Sequence, residues 1–121
     1  MRIMLKGKIH QAQVTETDID YEGSITIDAA LMEEADILPY EQVHVLDLDN
    51  GCRFETYAIA GERGSGVICI NGAAARLVSK GDRVIILSYV TVPEEEAHHL
   101  RPKSVYVNSR NEIIQQVLTE F

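Results

Sequence analysis

A glycine followed by a serine, Gly23-Ser24, separates two stretches of the chain that both have the character of β-strands. Glycine adopts backbone angles that other residues avoid, and the hydroxyl of the next residue can then lie beside the glycine carbonyl. This arrangement suits an intramolecular N→O acyl shift, in which the Ser24 oxygen attacks the carbonyl carbon of Gly23. The same dipeptide is also common in ordinary turns, so these two residues alone leave both interpretations open.

A second group of reactive side chains recurs at every other position of one predicted strand, Cys52 to Ala60. Because side chains alternate between the two faces of a strand, Arg53, Glu55 and Tyr57 are expected on one face unless a bulge intervenes. Asn50-Gly51, just before this strand, predicts a hairpin with the strand that precedes it. Without further evidence, the residue types at Arg53 and Tyr57 favour ordinary surface positions on a strand.

Short strands and helices alternate along the chain and must position these groups. Asp28 predicts the N-cap of a helix over about 29–35, and Asn71-Gly72 opens a short helix through about Val78. Pro93 to Ala97 indicates one helical turn, while Glu112 to Leu118 has helical spacing. Strands are expected over approximately 3–14, 24–27, 43–48, 52–60, 67–70, 83–92 and 105–107.

A short internal sequence repeat, called the echo below, suggests two similar halves. Residues 37–45 resemble residues 77–85, with Val43 and Val84 in corresponding places 41 positions apart (84 − 43). Each copy reads as a short helix, an acidic turn and an apolar strand. The echo predicts a pseudo-twofold relation within one domain.

Length and charge exclude several functional classes. The 121 residues suffice for one domain with a core, and the net charge of −8 disfavours nucleic acid and anionic membrane surfaces as partners. No apolar run approaches the length of a membrane-spanning helix, and residues 1–6 lack the pattern of a signal peptide. A cytoplasmic protein is therefore expected, with Cys52 and Cys69 as buried reduced thiols.

Several short motifs occur together in an order typical of one family. With them the chain resembles the bacterial aspartate 1-decarboxylases, pyruvoyl enzymes that make β-alanine for pantothenate synthesis. The resemblance extends along nearly the whole chain and fades after about Pro102. The motifs are Lys6-Gly7-Lys8-Ile9-His10, Tyr21-Glu22-Gly23-Ser24, Arg53-Phe54-Glu55-Thr56-Tyr57, Asn71-Gly72-Ala73-Ala74-Ala75 and Gly81-Asp82-Arg83-Val84.

The resemblance implies a fold and an assembly. The fold would be mainly β, a small six-stranded double-psi β-barrel with short helices. The family forms homotetramers whose active sites lie between neighbouring subunits. Since a small barrel is filled by its own side chains, a site at the rim or between subunits is consistent with this fold.

The resemblance also implies a self-made cofactor. Cleavage between Gly23 and Ser24 would separate residues 1–23 from residues 24–121 and convert Ser24, with loss of ammonia, into a pyruvoyl group. That group would form a Schiff base with L-aspartate and accept the electrons released when the α-carboxylate leaves as CO2. Neither a metal nor pyridoxal phosphate is expected.

Individual roles follow from the matched positions. Tyr57 is implied to be the proton donor, while Arg53 and Lys8 are implied to bind the carboxylate that the substrate retains. Thr56 would contact substrate and assist self-cleavage, and Asn71 would lie near the carbonyl group that is cut. The remaining matched positions are Gly72, Ala73 and Ala74, whose backbone would bind substrate, and His10 and Tyr21, which complete the pocket without assigned roles.

Two other functions stay possible on the sequence. One is a pyruvoyl decarboxylase that acts on a different amino acid. The other is a non-catalytic barrel, either an unprocessed scaffold or a DNA-binding relative, which the charge of −8 disfavours. The chain departs from the family pattern with acidic residues at Asp47 and Asp49 and over its last twenty residues.

Overall fold

The computed structural model describes residues 1–118 of the chain, and β-strands make up most of them. The nine strands are β1 (Arg2–Gln13), β2 (Glu16–Asp18), β3 (Ser24–Asp28), β4 (Gln42–Asp47), β5 (Arg53–Gly61), β6 (Ile68–Asn71), β7 (Arg83–Val92), β8 (Lys103–Val107) and β9 (Ile113–Leu118). The short helices are α1 (Ala29–Glu34), a 3₁₀ helix (Gly72–Arg76) and α2 (Glu94–Ala97). No helix within residues 1–118 is long and apolar enough to span a membrane.

The strands form a closed ring with a hairpin added at one side. Their hydrogen-bonded order is β2-β6-β3-β5-β4-β7-β1-β8-β9. Strand β2 continues β1 after a break at Val14-Thr15, where the Thr15 amide donates to the Ile68 carbonyl at 2.8 Å. With β1 and β2 as one interrupted strand, the ring consists of six strands.

The predicted fold class, a mainly β double-psi barrel, therefore holds, but six counts only the strands of the ring, because residues 1–118 contain nine strands. The break at Val14-Thr15 separates β2 from β1, and β8 and β9 add a hairpin outside the ring. The helical spacing of Glu112 to Leu118 is also misleading. These residues contain β9, which pairs antiparallel with β8, because a strand neighbour outweighs weak local periodicity.

Strand pairing in the two halves of the ring has the symmetry that the sequence echo predicts. The parallel pair β3–β5 corresponds to the parallel pair β2–β6. The antiparallel pair β4–β5 corresponds to β1–β7, and β4 pairs with β7 across the symmetry axis. The two halves therefore place β3 and β6 side by side, which matters for the site below.

Local signals in the sequence account for the ends of the elements. Asp28 caps α1 as predicted, because its Oδ1 accepts from the Ala30 amide at 2.8 Å. Asn50-Gly51 closes the β4–β5 hairpin with Gly51 at a φ of 78°, a backbone angle that favours glycine. Both cysteines are free thiols, but only Cys69 is buried, since Cys52 is half-buried next to this turn.

Candidate active site

Ser24 lies at the beginning of β3 and is almost fully buried, with 1% of its surface exposed. Its hydroxyl donates to the Glu22 carbonyl at 3.0 Å and accepts from Asn71 Nδ2 at 3.0 Å. The antiparallel register of β3 and β6 places Ser24 directly opposite Asn71. The serine next to Gly23 therefore has a buried amide donor on its reactive oxygen.

The Asn71 side chain is held in one orientation by further partners. Its Nδ2 also donates to Thr26 Oγ1 at 3.0 Å, and its Oδ1 accepts from the Cys69 thiol at 3.1 Å. Burial, followed by the charges of Glu16 and Asp18, raises the pKa of Cys69, so its thiol stays protonated and can donate. With Oδ1 occupied, the amide nitrogen points to Ser24.

The backbone at Gly72 lies tightly against the predicted cleavage point. A Cβ atom at position 72 would be 2.6 Å from Gly23 Cα and 3.2 Å from the Tyr21 carbonyl oxygen. Gly72 also has a φ of 75°, which other residues rarely adopt. Glycine is therefore required here, both for the turn into the 3₁₀ helix and for the close approach of residues 21–23.

Tyr57 lies on the other side of Ser24, on β5. Strands β3 and β5 run parallel with Ile25 beside Ala58, so the preceding residues, Ser24 and Tyr57, are neighbours at the end of this pairing. The half-buried Tyr57 ring packs against Tyr40 with a centroid distance of 6.3 Å. Neighbouring strands thus bring Asn71, Ser24 and Tyr57 into one row.

Arg53, Glu55 and Tyr57 share a face of β5 as predicted, because the β4–β5 register runs from position 53 to position 57 without a bulge. Glu55 accepts from Gln42 Nε2 at 3.0 Å and approaches His44 Nε2 at 3.7 Å. Arg53 is exposed at the far end of this face, four residues before Tyr57 and roughly 13 Å away along an extended strand.

Lys8 and His10 lie on β1, apart from the row that contains Ser24. Lys8 pairs with Leu87 of β7 and Ser104 of β8, whereas the part of this interrupted strand that reaches β6 places Asp18, ten positions after Lys8 (18 − 8), opposite Asn71. His10 packs against Tyr106 with a ring distance of 5.3 Å. Burial, with a further effect of the Lys8 charge, lowers the pKa of His10 and keeps its imidazole neutral near pH 7.

The remaining predicted residues surround the cleavage point more loosely. Thr56 precedes Tyr57 on β5 and is half-buried. Tyr21 is exposed, with 53% of its surface open to solvent, and its carbonyl oxygen lies close to Gly72. Ala73 and Ala74 follow Gly72 in the 3₁₀ helix. One chain therefore unites most of the predicted residues but leaves Lys8, His10 and Arg53 at a distance.

Two residues that take part in this hydrogen-bond network, Thr26 and Cys69, are missing from the sequence prediction. Both lie two positions from a predicted site residue, Thr26 after Ser24 and Cys69 before Asn71, and the two face each other across β3 and β6. Because side chains alternate along a strand, this spacing of two indicates that each residue shares a face with the neighbouring site residue. Recognising it requires the β3–β6 register, which the sequence does not reveal.

Comparison with known proteins identifies close relatives. The family described as "Aspartate decarboxylase" matches residues 1–114. The aspartate 1-decarboxylase of Syntrophus aciditrophicus is 62% identical over 112 residues, which cover 93% of this chain and 97% of the relative. That of Thermoanaerobacter pseudethanolicus is 59% identical over 110 residues, 91% of this chain and 94% of the relative. Among solved structures, the rationally designed protein mkDPBB_sym_86 aligns with a TM-score of 0.49 and 13% identity, covering 68% of this chain and 95% of that chain.

Proposed function

The chain belongs to the aspartate decarboxylase family and catalyses the decarboxylation of L-aspartate to β-alanine and CO2, and we propose that it does so with a pyruvoyl group made from its own Ser24. The observation that carries the proposal is the hydrogen bond from Asn71 Nδ2 to the buried Ser24 Oγ. In the family this reaction supplies β-alanine for pantothenate synthesis.

Self-cleavage begins, in this proposal, when Ser24 Oγ attacks the carbonyl carbon of Gly23. The Asn71 amide stabilises the negative charge that the oxygen carries as it loses its proton. The C–N bond between Gly23 and Ser24 then breaks and the Ser24 nitrogen takes up the hydroxyl proton, so the peptide becomes an ester and the nitrogen a free amine. β-Elimination then removes the ester as the carboxylate of residues 1–23, and hydrolysis of the resulting enamine consumes one water and releases one ammonia.

The surroundings of Ser24 fit a small ketone at this position. Ser24 is buried and has the Asn71 amide as a donor, and Gly72, without a side chain, lets residues 21–23 approach closely. Once formed, the pyruvoyl group supplies an electrophilic carbonyl for the substrate amine and an electron sink for decarboxylation.

Tyr57 is the proton donor in this proposal. Its place beside Ser24 in the β3–β5 register brings a phenol to the end of β3, where it can protonate the carbon that loses CO2. Tyr57→Phe should therefore leave self-cleavage intact and lower turnover by about 10²-fold or more. Near-normal CO2 release by the cleaved variant would remove Tyr57 from this role.

Arg53 and Lys8 hold the retained side-chain carboxylate of aspartate, Arg53 through two parallel hydrogen bonds. Because Lys8 and His10 lie on β1, away from Ser24 within one chain, we place the complete site between subunits of a homotetramer. A cytoplasmic location remains the expectation from the sequence.

A carbonyl reagent tests the pyruvoyl proposal directly. Phenylhydrazine should add once to the fragment 24–121 and abolish CO2 release from L-aspartate labelled at its α-carboxylate. Ser24→Ala, which has no route to the ketone, should gain no adduct. An active protein that phenylhydrazine neither modifies nor inhibits would overturn the proposal. Faster turnover of L-glutamate than of L-aspartate would instead contradict the assigned substrate.

A further inference from the structure

Three carboxylates meet at the opposite end of β4 from Tyr57. Asp47 ends β4, Asp49 lies in the hairpin turn, and Asp82 precedes β7. One carboxylate oxygen from each lies within 4.8 Å of the others. We call these three residues the acidic cluster.

Asp47 has a carboxylate oxygen that no donor satisfies. The residue is buried, with 2% of its surface exposed. Its Oδ1 accepts from the amides of Asp49, at 2.8 Å, and Asn50, at 3.2 Å. Its buried Oδ2 has no hydrogen-bond partner within the described part of the chain. Such an orphaned buried oxygen is costly unless something positive accompanies it.

Asp82 cannot satisfy Asp47, because two ionised carboxylates are both acceptors. Asp82 Oδ2 already accepts from the Ser79 amide at 2.9 Å. The close approach of the two carboxyls therefore calls for a cation or a proton between them.

The balance of charge favours a divalent cation. Arg83 donates to Asp49 Oδ1 from Nη2 at 2.9 Å and from its backbone amide to Oδ2 at 2.7 Å, so one guanidinium offsets one of the three negative charges. Two negative charges remain. A divalent cation neutralises both, whereas one shared proton would leave a net negative charge in a site that contains the buried Asp47.

We propose that the acidic cluster binds a divalent cation of the size and hardness of Ca²⁺. Oxygen ligands bind Ca²⁺ at about 2.3–2.6 Å, so two ligands of one ion are at most about 5.2 Å apart, and the three cluster oxygens all lie within 4.8 Å of one another. Mg²⁺ needs ligands at about 2.0–2.1 Å in near-ideal octahedral geometry and gives up its waters reluctantly, so we expect it to bind the cluster more weakly.

The ion would tie the β4–β5 turn to the start of β7 rather than take part in decarboxylation. Asp47 follows Gln42, the register partner of Tyr57, by five positions on β4, which is roughly 16 Å along a strand. The measurable effect of the cation is therefore on stability. The result of the test does not depend on whether the pyruvoyl proposal is correct.

Thermal unfolding of the full-length protein tests the site. EDTA-treated and desalted protein, at fixed concentration, is titrated with CaCl2 up to 10 mM against NaCl of equal ionic strength. The unfolding temperature should rise saturably by about 3 °C or more, since a ligand that binds only the folded state stabilises it. MgCl2 should produce a smaller rise.

Asp47→Asn should not respond to CaCl2, and without the ion it should be at least as stable as the wild type because it buries no uncompensated charge. Asp82→Asn gives a second variant with the same expected loss of response. Glu95→Gln, which removes an exposed acid outside the cluster, should keep the full rise. A flat titration of the wild type, or an undiminished rise in both cluster variants, would overturn the proposal.

Discussion

The chain contains two Gly-Ser pairs, and their surroundings differ sharply. Ser24, after Gly23, begins a strand, is buried and has the Asn71 amide on its hydroxyl. Ser65, after Gly64, is exposed in a loop, donates to the Glu62 carbonyl at 2.6 Å and accepts from the backbone amide of Val67. The Gly-Ser dipeptide alone therefore does not distinguish a reactive serine from a turn serine. The difference comes from the strand that faces Ser24.

The two pairs also differ in what surrounds each glycine. A Cβ at Gly64 would meet nothing within 4 Å, and Gly23 would likewise accept one. Gly23 is exposed, but Gly72 approaches it closely from the β6 side. Contact from a second segment, rather than local backbone freedom, distinguishes the site from an ordinary turn.

The contrast between the two Gly-Ser pairs predicts that Ser24 is essential and Ser65 is not. Ser24→Ala should give a folded, uncut chain without decarboxylase activity, because the attacking oxygen is gone. The matched variant Ser65→Ala should cleave and turn over as the wild type does. Gel electrophoresis under denaturing conditions and a CO2 assay check both variants, and activity in Ser24→Ala would refute the mechanism.

Alanine at Gly64 and at Gly72, which both have a positive φ, separates backbone strain from contact. Gly64→Ala at a φ of 81° should cost only about 1–2 kcal/mol of stability. Gly72→Ala adds a contact of 2.6 Å with Gly23 and should slow cleavage by roughly 100-fold, by about 2.7 kcal/mol at 1.36 kcal/mol per tenfold. Time courses of cleavage, with unfolding curves for both variants, measure the two effects; equal cleavage rates would show that the contact is unimportant.

Removal of the Asn71 side-chain amide tests its hydrogen bond to Ser24 directly. Asn71→Ala deletes the hydrogen bond to Ser24 and leaves Thr26 Oγ1 and the Cys69 thiol without their partner. Cleavage should slow by about 10- to 100-fold, since hydrogen bonds to charged groups contribute about 1.5–3 kcal/mol. Asn50→Ala, which removes an exposed amide bonded to the Leu77 carbonyl, should leave the cleavage rate unchanged.

The smallest effect is expected at Cys69. Cys69→Val keeps most of the volume but removes the thiol that donates to Asn71 Oδ1, so the amide is freer to turn from Ser24. Cleavage should slow by about two- to fivefold, in line with about 0.5–1 kcal/mol for a weak hydrogen bond. The half-buried Cys52→Val is the control, and identical rates in the two variants would show that the thiol does not orient Asn71.

Local elements were well predicted from the sequence. The Asp28 cap and the Asn50-Gly51 turn were correct because each depends on neighbours in the chain. The β9 strand was missed because its partner β8 decides its conformation. Local signals thus predicted the elements better than the contacts between them.

The candidate site shows the same limit. Resemblance to a family predicted Ser24, Tyr57 and Asn71 as site residues, and their strands are neighbours in the order β6-β3-β5. The supporting roles of Thr26 and Cys69 depend on cross-strand register, which no periodicity within one strand reveals. Their contribution could be found only once the strands were paired.

The intact mass of the purified protein under denaturing conditions tests the central claim most directly. The account predicts two chains, 1–23 and 24–121, with the larger chain lighter by one ammonia than a fragment that begins with serine. A fully active preparation that consists of one uncut chain, or of a larger fragment with an unmodified N-terminal serine, would contradict it.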